Sequence, residues 1–93
     1  MVRIEIIGSE AVEEEVIQTI EKCFPDVLYT LLPVAHGKGK SDYKKGDTTW
    51  PETNFVMVSY VDDDKEKGIE KVMYYIKHKF PDEGLKLFMI HDR

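Results

Sequence analysis

Several features that would assign a chain to a specialised class are scarce in these 93 residues. Cys23 is the single cysteine, which excludes an internal disulfide framework and a zinc site made of cysteines alone within one chain. Basic residues are also in deficit, because 13 Lys plus Arg stand against 18 Asp plus Glu and give a formal net charge of −5. General nucleic-acid binders neutralise phosphates with an excess of cations, so this balance argues against nucleic acid as a partner.

Long apolar runs are absent as well. No stretch approaches the ~20 apolar residues of a membrane-spanning helix, and residues 1–5 do not form the apolar core of a signal peptide. We therefore predict a cytoplasmic protein without a membrane span. The hydrophobic share of 42% and the charged share of 33% are typical of a folded globular chain. The length predicts a single domain over residues 1–93.

An internal repeat gives the order of the secondary-structure elements. The repeated positions, 56 apart, are Val16-Ile17, Ile20 and Phe24-Pro25-Asp26, matched by Val72-Met73, Ile76 and Phe80-Pro81-Asp82. The same offset places Val2 on Val58 and Ile4 on Tyr60, so a strand precedes a helix in each half. Each half therefore predicts β, α and β, and the whole chain βαββαβ.

The first helix has clear boundary signals. Gly8-Ser9 is expected to end the first strand, with Ser9 as the helix N-cap, and Pro25 is expected to stop the helix. Cys23 falls on the apolar side of this helix and is predicted to be a small buried residue. In the second helix, Gly68 predicts a close approach between helix and sheet.

Proline placement selects the topology. Pro33 interrupts the second predicted strand, 27–35, whereas the third, 54–61, contains neither glycine nor proline. Because proline cannot donate to a hydrogen-bond ladder, the second strand belongs at an edge. The pattern predicts an α+β, ferredoxin-like βαββαβ two-layer sandwich, with an antiparallel sheet of order 4-1-3-2 and both helices on one face.

The face of the sheet without helices is predicted to be apolar. Applying the repeat to the strands turns Val2, Ile4, Ile6, Val56, Val58 and Tyr60 towards the helices, and Phe55, Met57 and Ser59 outwards beside Arg3, Glu5 and Ile7. Either alternating set of the second and fourth strands adds further apolar side chains. So much apolar surface indicates self-association, with a covering loop as the alternative.

The segment 36–53, between the second and third predicted strands, is the candidate ligand-binding segment. Residues 36–47 hold four lysines against two aspartates, and the glycines among them let backbone approach a ligand. The lysines are suited to a phosphate or carboxylate, although a mobile, solvated loop has the same composition. Trp50 is either a packing plug or an aromatic wall for a ligand.

No catalytic arrangement is present in the sequence. His36, His78 and His91 lack the spacing of metal ligands, so no metal site is predicted. Cys23 has no histidine or asparagine placed to activate it, and no serine–histidine–aspartate set or carboxylate pair can be argued. The sequence therefore predicts a binding protein rather than an enzyme.

The segment Pro33-Val34-Ala35-His36-Gly37-Lys38-Gly39-Lys40-Ser41, within a βαββαβ chain, resembles the start of the T-loop of the PII nitrogen-regulatory proteins, and the loop exit resembles their divergent PII-like branch. The resemblance implies a homotrimer that binds an adenine nucleotide between subunits and engages a target protein through the loop 36–53. By position, the residues that match the family's T-loop base are Gly37, Gly39, Lys40 and Ser41. Lys38 and Trp50 complete the predicted ligand-binding set on the chemistry of the loop itself.

One part of the sequence departs from the family pattern. The connection between helix two and strand four, 80–84, lacks the family's second glycine-rich phosphate loop. Two other functions therefore stay open beside a regulatory protein that binds a small anionic ligand: a trimeric metal-binding protein resembling the CutA family, and an interaction module of unassigned role.

Overall fold

The computed structural model describes residues 1–36 and 53–91, and Val34 and His36 by their backbone. Its strands are β1 (Val2–Ser9), β2 (Tyr29–His36), β3 (Thr53–Val61) and β4 (Leu85–His91). Its helices are α1 (Glu13–Cys23) and α2 (Glu66–Lys79), each preceded by one 3-10 turn, Glu10–Val12 and Asp63–Lys65 respectively. The strands form an antiparallel sheet of order β2-β3-β1-β4, which confirms the predicted ferredoxin-like fold.

The junction between β1 and α1 follows the predicted capping but not the predicted strand end. The Ser9 hydroxyl accepts a hydrogen bond from the Ala11 backbone N–H at 3.2 Å, which satisfies a donor that the helical turn leaves free. Gly8 and Ser9 nevertheless remain inside β1, where Gly8 pairs with Phe55 of β3 and Leu85 of β4. The expected strand break at Gly8 is therefore wrong.

The structure reverses the predicted orientation of β3. Phe55, Met57 and Val61 are buried between sheet and helices with Ile4 and Ile6 of β1. The reason is that α2 has 14 residues and α1 has 11. The repeat spacing is therefore 56 at the helix ends but 53 at Ser9 and Asp62, which precede the helical segments. An odd change of spacing exchanges the two faces of a strand.

Two smaller predictions about the helices are also wrong. Cys23 is exposed, because Phe24, four residues after the buried Ile20, packs against the core in its place. Gly68 marks a close approach to the other helix end rather than to the sheet, since a Cβ there would lie 3.1 Å from the Phe24 ring.

The edge position predicted for the second strand is confirmed. The register passes from Leu32 opposite Val56 to Ala35 opposite Asn54, so Pro33 and Val34 together face one residue of β3. Such a bulge accommodates a residue without a backbone N–H at a sheet edge.

Gly8 is required by packing. A Cβ at this position would lie 2.8 Å from a Phe55 ring carbon and 2.9 Å from a Leu85 methyl carbon, both in buried side chains. We expect Gly8→Ala to lower the free energy of unfolding by about 1–3 kcal/mol through overpacking. Gly84→Ala is the matched control, since a Cβ there meets nothing within 4 Å and should change stability by less than about 0.5 kcal/mol. Urea denaturation measures both, and equal effects would contradict the packing explanation.

Candidate ligand site and open sheet face

The stems of the lysine-rich segment lie at one end of the sheet. The last two pairs between β2 and β3 are Ala35 with Asn54 and His36 with Thr53. Asn54 is also opposite Ser9 of β1, and the Ser9 N–H donates to the Gly84 carbonyl at 2.9 Å. The segment 37–52 therefore leaves and rejoins the sheet beside the start of the first helical segment and the connection 80–84.

All six predicted ligand-binding residues, Gly37, Lys38, Gly39, Lys40, Ser41 and Trp50, lie outside the described residues. The groups around the stems of the segment 37–52 are partly acidic. The connection 80–84 supplies two carboxylates, exposed Asp82 and half-buried Glu83, and no cation. Lys79, at the end of α2, is already paired with Glu15 at 3.2 Å. A phosphate bound here would need cations from elsewhere.

The sheet face opposite the helices carries many apolar side chains. We call this surface the open face, and by strand register it consists of Arg3, Glu5, Ile7, Thr30, Leu32, Val56, Val58, Tyr60, Lys86, Phe88 and Ile90. Tyr60, Ile90 and Phe88 are 57%, 52% and 45% exposed, which is high for side chains of this size. An apolar open face was predicted, although β3 contributes the other set of its residues.

Two charged residues of the open face, both on β1, are bonded to each other and to Tyr60. Arg3 donates from Nε to Glu5 Oε2 at 2.7 Å and from a terminal nitrogen to the Tyr60 hydroxyl at 2.6 Å. The hydrogen bond to Glu5, supported by Tyr60, holds the pKa of the Arg3 guanidinium above its ordinary value. Because Arg3 and Glu5 are already paired within the chain, covering this face leaves neither charge without a partner.

The histidines are dispersed. His91 Nε2 lies 2.8 Å from Glu66 Oε2, and His78 Nδ1 lies 3.3 Å from the Tyr74 carbonyl. Within residues 1–36 and 53–91, no three histidine, cysteine, aspartate or glutamate residues form a group suited to a metal ion. The helices in this part of the chain are all too short or too polar to cross a membrane.

Two residues of the open face escaped the sequence interpretation. Lys86 is opposite Ile7 and places an exposed cation on the open face. Tyr60, assigned to the helix side by the repeat, joins the Arg3 network instead. The spacing of 53 between the two helix starts was visible in the sequence and would have corrected Tyr60.

Comparisons with known proteins give structural similarity only. No protein-family profile matches the chain, and no curated protein sequence is similar to it. The fold is similar to that of CPII from Thiomonas intermedia K12 bound to ADP and bicarbonate, with a TM-score of 0.66 at 16% identity over 96% of this chain and 84% of that one. CPII bound to ADP, AMP and acetate gives 0.65 at 15% identity over 99% and 88%.

A third similar structure is a candidate PII-like signalling protein from Thermus thermophilus, with a TM-score of 0.64 at 13% identity over 96% of this chain and 83% of that one. At these identities the similarity establishes the fold. The chain has the fold of PII-like signalling proteins, as its sequence resemblance predicted.

Proposed function

We propose that this chain is a non-enzymatic, PII-like regulatory protein that binds a small anionic ligand, an adenine nucleotide, between subunits of a homotrimer. The observation that supports this most is the match to CPII over nearly the whole chain, since CPII is bound to ADP and bicarbonate. The segment 36–53 signals occupancy to a target protein through its conformation.

The charge distribution gives the lysines of this segment their role. The connection 80–84 offers two carboxylates to a ligand at the stems, and Lys79 is paired with Glu15. Lys86 is an exposed cation at this end of the sheet, but it lies on the open face. Phosphate binding beside the connection 80–84 therefore depends on Lys38 and Lys40, with Gly37, Gly39 and Ser41 supplying backbone and hydroxyl donors and Trp50 a wall for the base.

The open face supports the assembly. Its exposed apolar side chains are too many for a small chain to leave in water, and its Arg3–Glu5 ion pair is neutral. Three copies that turn these faces inward cover them and stabilise each chain.

Melting curves with ADP and bicarbonate test the ligand. We expect ADP to raise the melting temperature of the unaltered chain, because it binds the folded state alone. The Lys38→Ala/Lys40→Ala variant should bind roughly tenfold more weakly or worse, since each lysine makes a charge-assisted contact. Lys22→Ala is the control, because Lys22 lies in the last turn of α1, at the other end of the sheet.

Two results would overturn this assignment. One is a melting temperature of the unaltered chain that does not change when ADP, AMP or bicarbonate is added. The other is an equal response to ADP in the Lys38→Ala/Lys40→Ala variant and the Lys22→Ala control, which would move the site away from the loop.

A further inference from the structure

A basic groove lies between α2 and β4, on the helix side of the sheet. Its volume is ≈ 490 Å³, and its rim carries three exposed lysines, Lys67, Lys71 and Lys77, against one carboxylate, Glu70. The whole chain has a formal net charge of −5. The groove is therefore a local positive region on an acidic protein.

The lysines of this groove are not accounted for by the stability of α2. Lys67 lies in the first turn, where the helix dipole disfavours a cation, and Lys71 follows four residues later as a like-charged neighbour. Within residues 1–36 and 53–91, no ion pair involves Lys67, Lys71 or Lys77. Their ammonium groups are therefore available to the carboxylates of another molecule.

The groove also has an apolar part. Its floor consists of Met73, which is buried, and Leu87, which is half-buried. Tyr74 stands at the edge with 64% of its surface exposed, and its ring packs against the ring of His78 with 4.3 Å between centroids. A tyrosine held beside an apolar floor offers a contact surface to an apolar side chain.

The lysines at the start of α2 are distant from the stems of the segment 37–52. The stems join the sheet at Thr53 and Asn54, at the beginning of β3, whereas α2 follows the opposite end of that strand, at Val61. Lys67 and Lys71 lie in the first half of α2. This part of the groove is therefore separate from the candidate nucleotide site.

The composition of the groove selects its occupant. A nucleic acid is disfavoured by the net charge of −5 and by Glu70 within the groove. A membrane surface requires a projecting apolar face, and this surface is concave. A peptide segment with apolar side chains between its carboxylates matches both the lysine rim and the apolar floor.

We propose that the groove between α2 and β4 docks an acidic segment of a partner protein. Carboxylates of the segment pair with Lys67 and Lys71, and an apolar side chain enters between Tyr74 and Leu87. This inference goes beyond the proposed function, because it adds a contact surface outside the segment 36–53 and does not require a bound nucleotide.

Fluorescence anisotropy with a labelled synthetic peptide of repeated Glu-Glu-Leu tests the charged part of the contact. We expect Lys71→Glu to weaken peptide binding roughly fivefold or more, because a carboxylate then faces the carboxylates of the peptide. Lys22→Glu is the matched control, since it makes the same change of net charge at an exposed lysine of α1. Equal weakening by both variants would reduce the effect to net charge and overturn the proposal.

The apolar part has its own matched pair. Tyr74→Ala should weaken peptide binding roughly fivefold or more, whereas Tyr75→Ala should leave it unchanged. Tyr75 is 59% exposed on the same helix but does not line the groove. A peptide of repeated Glu-Glu-Ser, with the same charge, should bind more weakly than Glu-Glu-Leu. Equal binding of the two peptides would contradict an apolar floor, and circular dichroism melting shows that each variant is folded.

The remaining measurements distinguish other occupants and the proposed function. Lys71→Glu should keep the sedimentation mass of the unaltered chain, and a lower mass would show that a second copy fills the groove. Single-stranded DNA or anionic vesicles that bind the groove more tightly than Glu-Glu-Leu would likewise overturn the proposal. Lys71→Glu should also melt with ADP as the unaltered chain does. An unaltered chain that responds to ADP but does not bind Glu-Glu-Leu would refute the docking groove alone.

Discussion

Replacing Val58 by glutamate is expected to reduce the mass in solution from that of three chains to that of one. Val58 is half-buried on the open face, directly opposite Glu5 of β1 and Thr30 of β2. A new carboxylate there has no cation of its own, because Arg3 is already bonded to Glu5 and Tyr60. Burying it between copies would cost several kcal/mol, more than an interface of this kind tolerates.

Tyr75→Glu is the matched control for Val58→Glu. Tyr75 is an exposed residue of α2, which lies on the other face of the sheet. Sedimentation velocity should show the assembled mass for Tyr75→Glu and 10.8 kDa for Val58→Glu. A Val58→Glu variant that keeps the assembled mass would show that the open face is not the buried surface.

Phe55→Ala is expected to be the most destabilising single truncation in β3. Phe55 is completely buried. Its ring packs directly on Gly8, where an added Cβ would lie 2.8 Å from a ring carbon. Removing a buried phenylalanine leaves a cavity that costs about 3–5 kcal/mol, a large part of the stability of a small domain.

Val56→Ala separates the two faces of β3. The Val56 side chain lies on the open face. Its truncation should therefore lower the free energy of unfolding of the single chain by less than about 1.5 kcal/mol. Both truncations are best made in the Val58→Glu background, where assembly no longer contributes, and followed by urea denaturation. Equal losses would contradict the orientation of β3 and return it to the one that the repeat implied.

The sequence was sufficient for the topology because two independent signals agreed. The repeated Phe-Pro-Asp at both helix ends predicted the two βαβ halves, and Pro33 placed β2 at an edge. The orientation of β3 was predicted wrongly, because it depends on whether the spacing between the two halves is odd or even at the strands. Three extra residues in α2 were enough to exchange Phe55 and Met57 with Val56 and Val58.

The surface sites were harder to predict, because their residues are distant in sequence. Both alternating sets of β4 are apolar, so only the register with β1 shows that Phe88 and Ile90 reach the open face. The ligand-binding prediction for Lys38 and Lys40 rests on resemblance and loop chemistry, and stays a prediction.

The most direct test of the central claim is the mass of the unaltered chain, measured by light scattering over a range of concentrations. An apolar open face covered by two further copies predicts three times the 10.8 kDa of one chain, stable on dilution. A mass of 10.8 kDa at every concentration would contradict it, and with it the proposed ligand site between subunits.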